Sequence, residues 1–317
     1  MRRGEGKVLG FIVFAVSIIL FAPTTFAAPK SKTRKTEKKE PLAASAMVGD
    51  SVCQNCHEDQ LAKFNKTLMA KYLYSKTKSG KETFACETCH GPGRAHSEAG
   101  GGRGVGNLIT FGKGATTPAE KQNAVCLQCH SGNDRFFWNG SPHDSKEVAC
   151  TSCHKVMENA TERFQLSKSS EIETCGQCHQ QKRAQRMRYS HMPLRENKMK
   201  CTSCHSPHGS VSDKLLKGNS INEMCYSCHA EKRGPFLWEH APVAESCTNC
   251  HDPHGSNNER MLTLPKPRLC QQCHVESGHP TTPQRLTATR YLSDQACNNC
   301  HYDVHGSNHP SGKAFTR

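Results

Sequence analysis

The chain is poor in the material of an ordinary protein interior. Only 35% of its 317 residues are hydrophobic and 6% aromatic, with two tryptophans and six tyrosines, against roughly 45–50% apolar usage in a typical soluble domain. A side-chain core of the usual size is therefore excluded, and something other than apolar burial must hold the fold together. The longest uncharged apolar run, Val8 to Phe21, has 14 residues, short of the roughly 20 needed to cross a bilayer as a helix. The Gly-rich stretch Gly100 to Gly106 has no Lys-Ser/Thr ending and no strand before it, so it reads as a loop and not as a phosphate cradle.

The apolar run follows Arg2, Arg3 and Lys7 and precedes the small residues Thr24, Thr25, Ala27 and Ala28. That order is the one of a secretory signal peptide over residues 1–27, cleaved after Ala27, and no cysteine lies near the cleavage site to take a lipid. Residues 28–49 are rich in Lys, Ser, Thr and Pro and read as a disordered basic arm, with the basic run Lys30 to Lys39 as a solvated face. The folded domain is expected over residues 50–317.

What the sequence has in excess is cysteine, and the 20 cysteines are not scattered. All fall into ten copies of Cys-x-x-Cys-His. The first five are Cys53, Cys56 and His57; Cys86, Cys89 and His90; Cys126, Cys129 and His130; Cys150, Cys153 and His154; and Cys175, Cys178 and His179. The second five are Cys201, Cys204 and His205; Cys225, Cys228 and His229; Cys247, Cys250 and His251; Cys270, Cys273 and His274; and Cys297, Cys300 and His301. The chain's own Cys and His frequencies predict about 0.07 copies by chance. Two thiols three residues apart share one helical turn and can form thioethers to the two vinyl groups of a haem, and the next residue, His, then lies beneath the ring as proximal iron ligand. Tetrahedral zinc chemistry does not demand a His after every second Cys, and a disulfide scaffold has no reason to repeat one spacing ten times. The expected cofactors are ten haem c.

Ten haems between residues 53 and 301 leave about 25 residues each, room only for short helices and loops. The haems themselves become the core. The fold class follows: a multihaem cytochrome c, mostly irregular, with short α-helices at the attachment sites, little or no β structure, and an elongated haem chain. The formal charge of +14 would suit a nucleic-acid partner, but removing residues 1–27 leaves +12, and two ionised propionates per haem subtract 20. With ferric cores the total is about +2, and about −8 with ferrous ones, so the basic residues are a counter-charge and no nucleic-acid binding is expected.

Nine histidines remain for ten distal positions: His96, His143, His191, His208, His240, His254, His279, His305 and His309. The motif spacings define five two-haem units opening at Cys53, Cys126, Cys175, Cys225 and Cys270. In the middle units a His follows the opening Cys by 17, 16 and 15 residues, and the matching slot of the first unit holds Met69. His208 and His254 lie three residues past a proximal His, and the matching slot after His154 holds Met157. Met69 and Met157 are thus either thioether ligands at higher-potential sites or gap fillers against a haem face. His309 is either surplus or the completion of one of these sites. Trp138 and Trp238, each just before a distal His, are expected to pack on haem edges.

Longer strings add a family resemblance: LITFG at Leu108–Gly112, CYSCHAEKRGP at Cys225–Pro235 followed by LWEHAPV, LCQQCH from Leu269, and VHGSNHPSGK from Val304. Over nearly the whole mature chain these resemble the periplasmic decahaem cytochromes of the MtrA/DmsE type. The resemblance implies a haem chain inserted into an outer-membrane β-barrel porin. Its expected partners are a periplasmic or inner-membrane cytochrome donor or acceptor and an extracellular multihaem cytochrome or terminal reductase. It also implies bis-His ligation, from which Met69 and Met157 depart. An iron with two protein ligands has no open position for substrate, so the expected role is electron transfer without catalysis. Two alternatives stand beside it, a soluble periplasmic shuttle or store and a multihaem reductase with one open haem.

Overall fold

The computed structural model describes residues 46–161, 163–196, 198–274 and 296–316. The expected signal peptide, most of the basic arm and His279 lie outside the described residues. Within them the chain is short helices joined by turns and loops; no strand forms, and the only β pairing is a set of isolated bridges. The longest helix, α1 (Asp50–Phe64), carries the first motif and bends at His57. It is followed by α2 (Leu68–Ser75), α3 (Ala85–His90) and α4 (Arg94–Glu98). A fifth, α5 (Ala119–Leu127), delivers Cys126. The other motifs begin on helices or 3-10 turns of three to six residues, for example Cys201–Cys204 and Cys247–Asn249.

The side-chain core is as small as the composition requires. Buried apolar residues are Phe64, Ala70, Ala85, Trp138, Ile172 and Leu262, and only the first three form a cluster, with Met69, Leu73 and Tyr74 packed on it. Polar side chains do much of the joining instead. Asp50, three residues before Cys53, accepts the N–H groups of Cys86 and Ala85 at 2.9 and 3.0 Å. Asn123, three before Cys126, accepts from Cys150 N–H at 2.8 Å and donates to Val148 O. Asn222, three before Cys225, accepts from Cys247 N–H at 2.8 Å and donates to Val243 O. In the third unit Glu171 takes over, accepting from the N–H and hydroxyl of Thr202. Each bond clamps the second motif of a unit to the helix that carries the first.

These clamps are nearly buried, Asp50 at 5%, Asn123 at 3% and Asn222 at 9% exposure, so removing one strands its partners. Asn222→Ala leaves the Cys247 N–H and the Val243 carbonyl without a partner at a cost of about 1–3 kcal/mol. The thermal midpoint of the holoprotein, followed by circular dichroism, is expected to fall by roughly 3–10 °C. A change below a degree would mean the clamp is dispensable.

Local sequence explains where the short helices start. Ser170 and Ser220 each accept a hydrogen bond from the N–H of the Glu three residues on, at 3.1 Å, capping the helices that carry Cys175 and Cys225. Thr67 caps α2 in the same way through Ala70 N–H. Pro142, Pro193 and Pro242 open the helices next to His143, His191 and His240, where the missing N–H costs nothing.

Candidate haem-ligand sites

The geometry of the imidazoles is the central feature of the fold. Seven motif histidines each face one of the nine remaining histidines: His57 with His96 (ring centres 6.2 Å apart), His179 with His143 (6.2 Å), His154 with His208 (6.1 Å), His229 with His191 (6.1 Å), His205 with His254 (6.0 Å), His274 with His240 (6.1 Å) and His251 with His305 (6.3 Å). Direct stacking would bring two rings closer. Two imidazoles bound to opposite faces of one iron, with bonds of about 2 Å and ~1.2 Å from nitrogen to ring centre, would stand about 6.4 Å apart. The residues therefore fit a haem iron between each pair. Among the described residues no group of three or more His, Cys, Asp or Glu side chains is arranged to hold a metal ion directly.

Hydrogen bonds fix which ring nitrogen faces the gap. In the second motif of every unit the Nδ1 of the motif His lies against a backbone carbonyl: His90 to Ile109 (2.8 Å), His154 to Phe164 (2.7 Å), His205 to Lys214 (2.9 Å), His251 to Arg260 (2.9 Å) and His301 to Ala314 (2.5 Å). A carbonyl only accepts, so Nδ1 carries the proton and Nε2 keeps its lone pair for iron. On the facing side, His143 donates to Pro207 O (2.7 Å), His240 to Val304 O (3.1 Å) and His96 to Val105 O (3.3 Å). Burial lowers the pKa of His191, His208, His240, His254, His305 and His90 below the ordinary imidazole value, favouring the neutral form that binds metal.

Three of the anchoring carbonyls come from strained backbone. Phe164 and Gln165, Lys214 and Leu215, and Arg260 and Met261 are consecutive residues with φ between 47° and 62°, a conformation costing about 1 kcal/mol or more per residue. Each pair ends a loop that returns to its motif through an isolated bridge, His154 with Leu166, His205 with Leu216 and His251 with Leu262. The strain is set where a carbonyl must be aimed at a proximal imidazole. The Gly-rich loop does a related job: Val105 O meets His96, and a Cβ on Gly106 (φ 72°) would sit 2.5 Å from the His96 nitrogen.

The thiols form a continuous series. Within units, the opening thiols of the two motifs lie near enough to shift one another's ionisation: Cys53 with Cys86, Cys126 with Cys150, Cys175 with Cys201, Cys225 with Cys247 and Cys270 with Cys297. Between units, burial and then the neighbouring thiols Cys126 and Cys129 push Cys89 up to about 11. Burial and then the next unit's Cys178, Cys228 or Cys273 likewise raise Cys153, Cys204 and Cys250. Consecutive motifs thus lie near enough in chain order for their thiols to influence one another.

Cys56 and Cys300 are exposed. Each keeps its sulfur on the same turn as its motif partner, Cys56 with Cys53 on α1 and Cys300 at the end of the turn Cys297–Asn299, so both are placed for a thioether.

Of the remaining expected residues, Trp138 is buried with its ring 6.4 Å from that of His208, while Trp238, 36% exposed, forms an isolated bridge with Ser307 and lies against Gly312. Met69 packs on the small core cluster and Met157 is 42% exposed. His309 departs from its expected candidacy: its Nδ1 accepts the Ser311 N–H at 3.2 Å, so a neutral ring carries its proton on Nε2, the nitrogen that would have to face iron. Replacing His309 with alanine is expected to leave the number of low-spin haems in the electron paramagnetic resonance (EPR) spectrum unchanged; a new high-spin signal would restore it as a ligand.

Sequence comparison agrees with this geometry. The family model of the doubled CXXCH motif matches residues 191–234 and 240–279, and that of the NrfB-like cytochrome c-type proteins matches residues 86–178. The C-type polyheme cytochrome OmcC of Geobacter sulfurreducens is 25% identical over 58% of this chain and 26% of its own length. The multiheme cytochrome MtrA of Shewanella baltica is 43% identical over 98% of this chain and 96% of its own length. Paired imidazoles at iron-bridging distance, ten thiol pairs in chain order and this full-length similarity together place the protein in the MtrA family of multihaem c-type cytochromes.

Proposed function

We propose that the protein carries ten haem c groups and relays electrons along them in chain order, as the periplasmic element of an outer-membrane conduit. The observation that carries this reading is the set of seven facing imidazole pairs, with ring centres 6.0 to 6.3 Å apart, spread from the first unit to the last. The two cysteines of each motif, from Cys53 and Cys56 to Cys297 and Cys300, would form the thioethers and the motif His the proximal bond. His96, His143, His191, His208, His240, His254, His279 and His305 would form distal bonds. When bound, each haem supplies a one-electron ferric/ferrous couple.

The residues around each site hold it still. Carbonyls at Ile109, Phe164, Lys214, Arg260 and Ala314 fix proximal rings, and those at Val105, Pro207 and Val304 fix distal ones, so neither ring needs to reorient when the charge at the site changes. A haem held between two facing protein ligands would have no open position for substrate, so such sites would carry electrons and not turn substrate over. No described helix is long and apolar enough to cross a membrane. Passage across the outer membrane thus calls for a β-barrel porin around this chain, with a periplasmic or inner-membrane cytochrome on one side and a cell-surface cytochrome or terminal reductase on the other. Residues 1–27 serve as the export signal and residues 28–49 as a basic arm ahead of the domain of residues 50–317.

The test is a haem count and film voltammetry on purified holoprotein. Ten haems per chain, a continuous reversible envelope and no catalytic wave with nitrite or hydroxylamine are expected. A catalytic wave, or one haem that binds these molecules, would replace the relay with a reductase.

A further inference from the structure

The imidazole pairs obey an exchange rule that the spacing alone does not reveal. A histidine of the first-half slot never serves its own unit: His143 faces His179, His191 faces His229 and His240 faces His274, each in the first motif of the next unit. A histidine of the second-half slot serves backwards: His208 faces His154, His254 faces His205 and His305 faces His251, each in the second motif of the preceding unit. Consecutive units therefore trade ligands. Only the first unit, with none before it, closes its opening site internally, His57 with His96.

Neither His90 nor His130 faces an imidazole among the described residues. The first-half slot of the first unit, Met69, falls by the rule to His130. The second-half slot of the second unit, Met157, falls to His90.

A second observation independently joins the two methionines. Each later exchange is accompanied by a backbone or side-chain contact between the segments flanking the two traded ligands: Tyr189 with Ser256 beside His191 and His254, and Trp238 with Ser307 beside His240 and His305. Between the first two units the corresponding contact is present. Asn159, two residues after Met157, donates to Lys66 O, three before Met69, at 2.7 Å. Glu158 stands where the other turns have glycine, so the close approach made there by Gly209, Gly255 and Gly306 is replaced by this single bond. A thioether also has no N–H to anchor, so no carbonyl is required behind it.

Resting on the electron-relay reading above, we infer that Met69 is the distal ligand of the haem on Cys126 and Cys129, opposite His130. By the same rule Met157 is the distal ligand of the haem on Cys86 and Cys89, opposite His90. The two sites are neighbours, since Cys89 is under the influence of Cys126 and Cys129. Thioether ligation raises the reduction potential over bis-His, so the second and third sites of the relay form an adjacent pair that is reduced first and oxidised last.

The test is near-infrared magnetic circular dichroism with EPR on the fully oxidised holoprotein. Eight bis-His and two His/Met low-spin haems are expected in the parent. Met69→His and Met157→His each raise the bis-His count to nine, and the double variant raises it to ten while removing the highest-potential pair from the redox titration. Met69→Leu, which keeps the volume without a donor, produces one high-spin haem. A crystal structure of the holoprotein reads the partners directly. A parent without a thioether signature, spectra unchanged by the variants, or Met69 opposite any proximal histidine other than His130 overturns the assignment. A haem count below ten or catalytic turnover in the same preparation would instead overturn the relay, and the spectra would still report the ligands of the haems present.

Discussion

Replacing His143 with alanine is expected to convert one low-spin haem of the holoprotein to high spin and to disturb a second. His143 faces His179 at 6.2 Å between ring centres, so its loss opens the distal side of the haem on Cys175 and Cys178. Its Nδ1–H also donates at 2.7 Å to the carbonyl of Pro207, the residue before His208, which faces His154. The freed carbonyl loses about 1–3 kcal/mol of compensation, and the loop presenting His208 loses its anchor. EPR would show a high-spin signal integrating to one haem in ten, and the reduced protein would bind carbon monoxide at one site. The low-spin signal of the His154 haem would broaden. His143→Met restores six ligands but not the hydrogen bond, so the first effect disappears and the second stays. Ten low-spin haems in the alanine variant would remove His143 from the ligand set.

That expectation depends on a pairing absent from the linear order of residues. The motifs are legible in the sequence because thioether chemistry dictates both their spacing and the following His, and the scarcity of apolar residues already implies a cofactor core with little β structure. The distal histidines are legible as a set, since each recurs at a fixed place in the two-motif period. Their partners are not, because ligand exchange places the two imidazoles of one site in different units and no local pattern encodes the crossing. The carbonyls at Phe164, Lys214 and Arg260 are invisible for another reason: every residue has one, and only left-handed backbone at these side-chain-bearing positions aims it. Asp50, Asn123 and Asn222 could have been found, as polar residues three positions before an opening cysteine, where burial on a helix face demands a partner. The Ser311 N–H that sets the tautomer of His309 is likewise something spacing does not carry.

The largest functional effect is expected from removing an attachment site in the middle of the series. In the double variant Cys225→Ser and Cys228→Ser, the seventh haem loses both thioethers, and with them the apolar faces that replace a side-chain core around it. The haem count falls to nine. Cys204 and Cys247 are the thiol neighbours of this motif on either side, and His191 and His229 keep their places but lose the iron expected between them. If sites communicate only with those adjacent in chain order, the six from Cys53 to Cys201 remain joined to one another and separate from the three that follow. Tethering the protein to an electrode through its N-terminal end turns that separation into a measurement. Six haems are expected to follow a fast potential sweep while three lag or fall silent, whereas the parent reduces all ten together. The matched variant Cys297→Ser and Cys300→Ser, which removes only the terminal site, leaves nine haems responding in step. If the nine haems of the internal variant also titrate together, electrons bypass the gap and the sites do not form a single file.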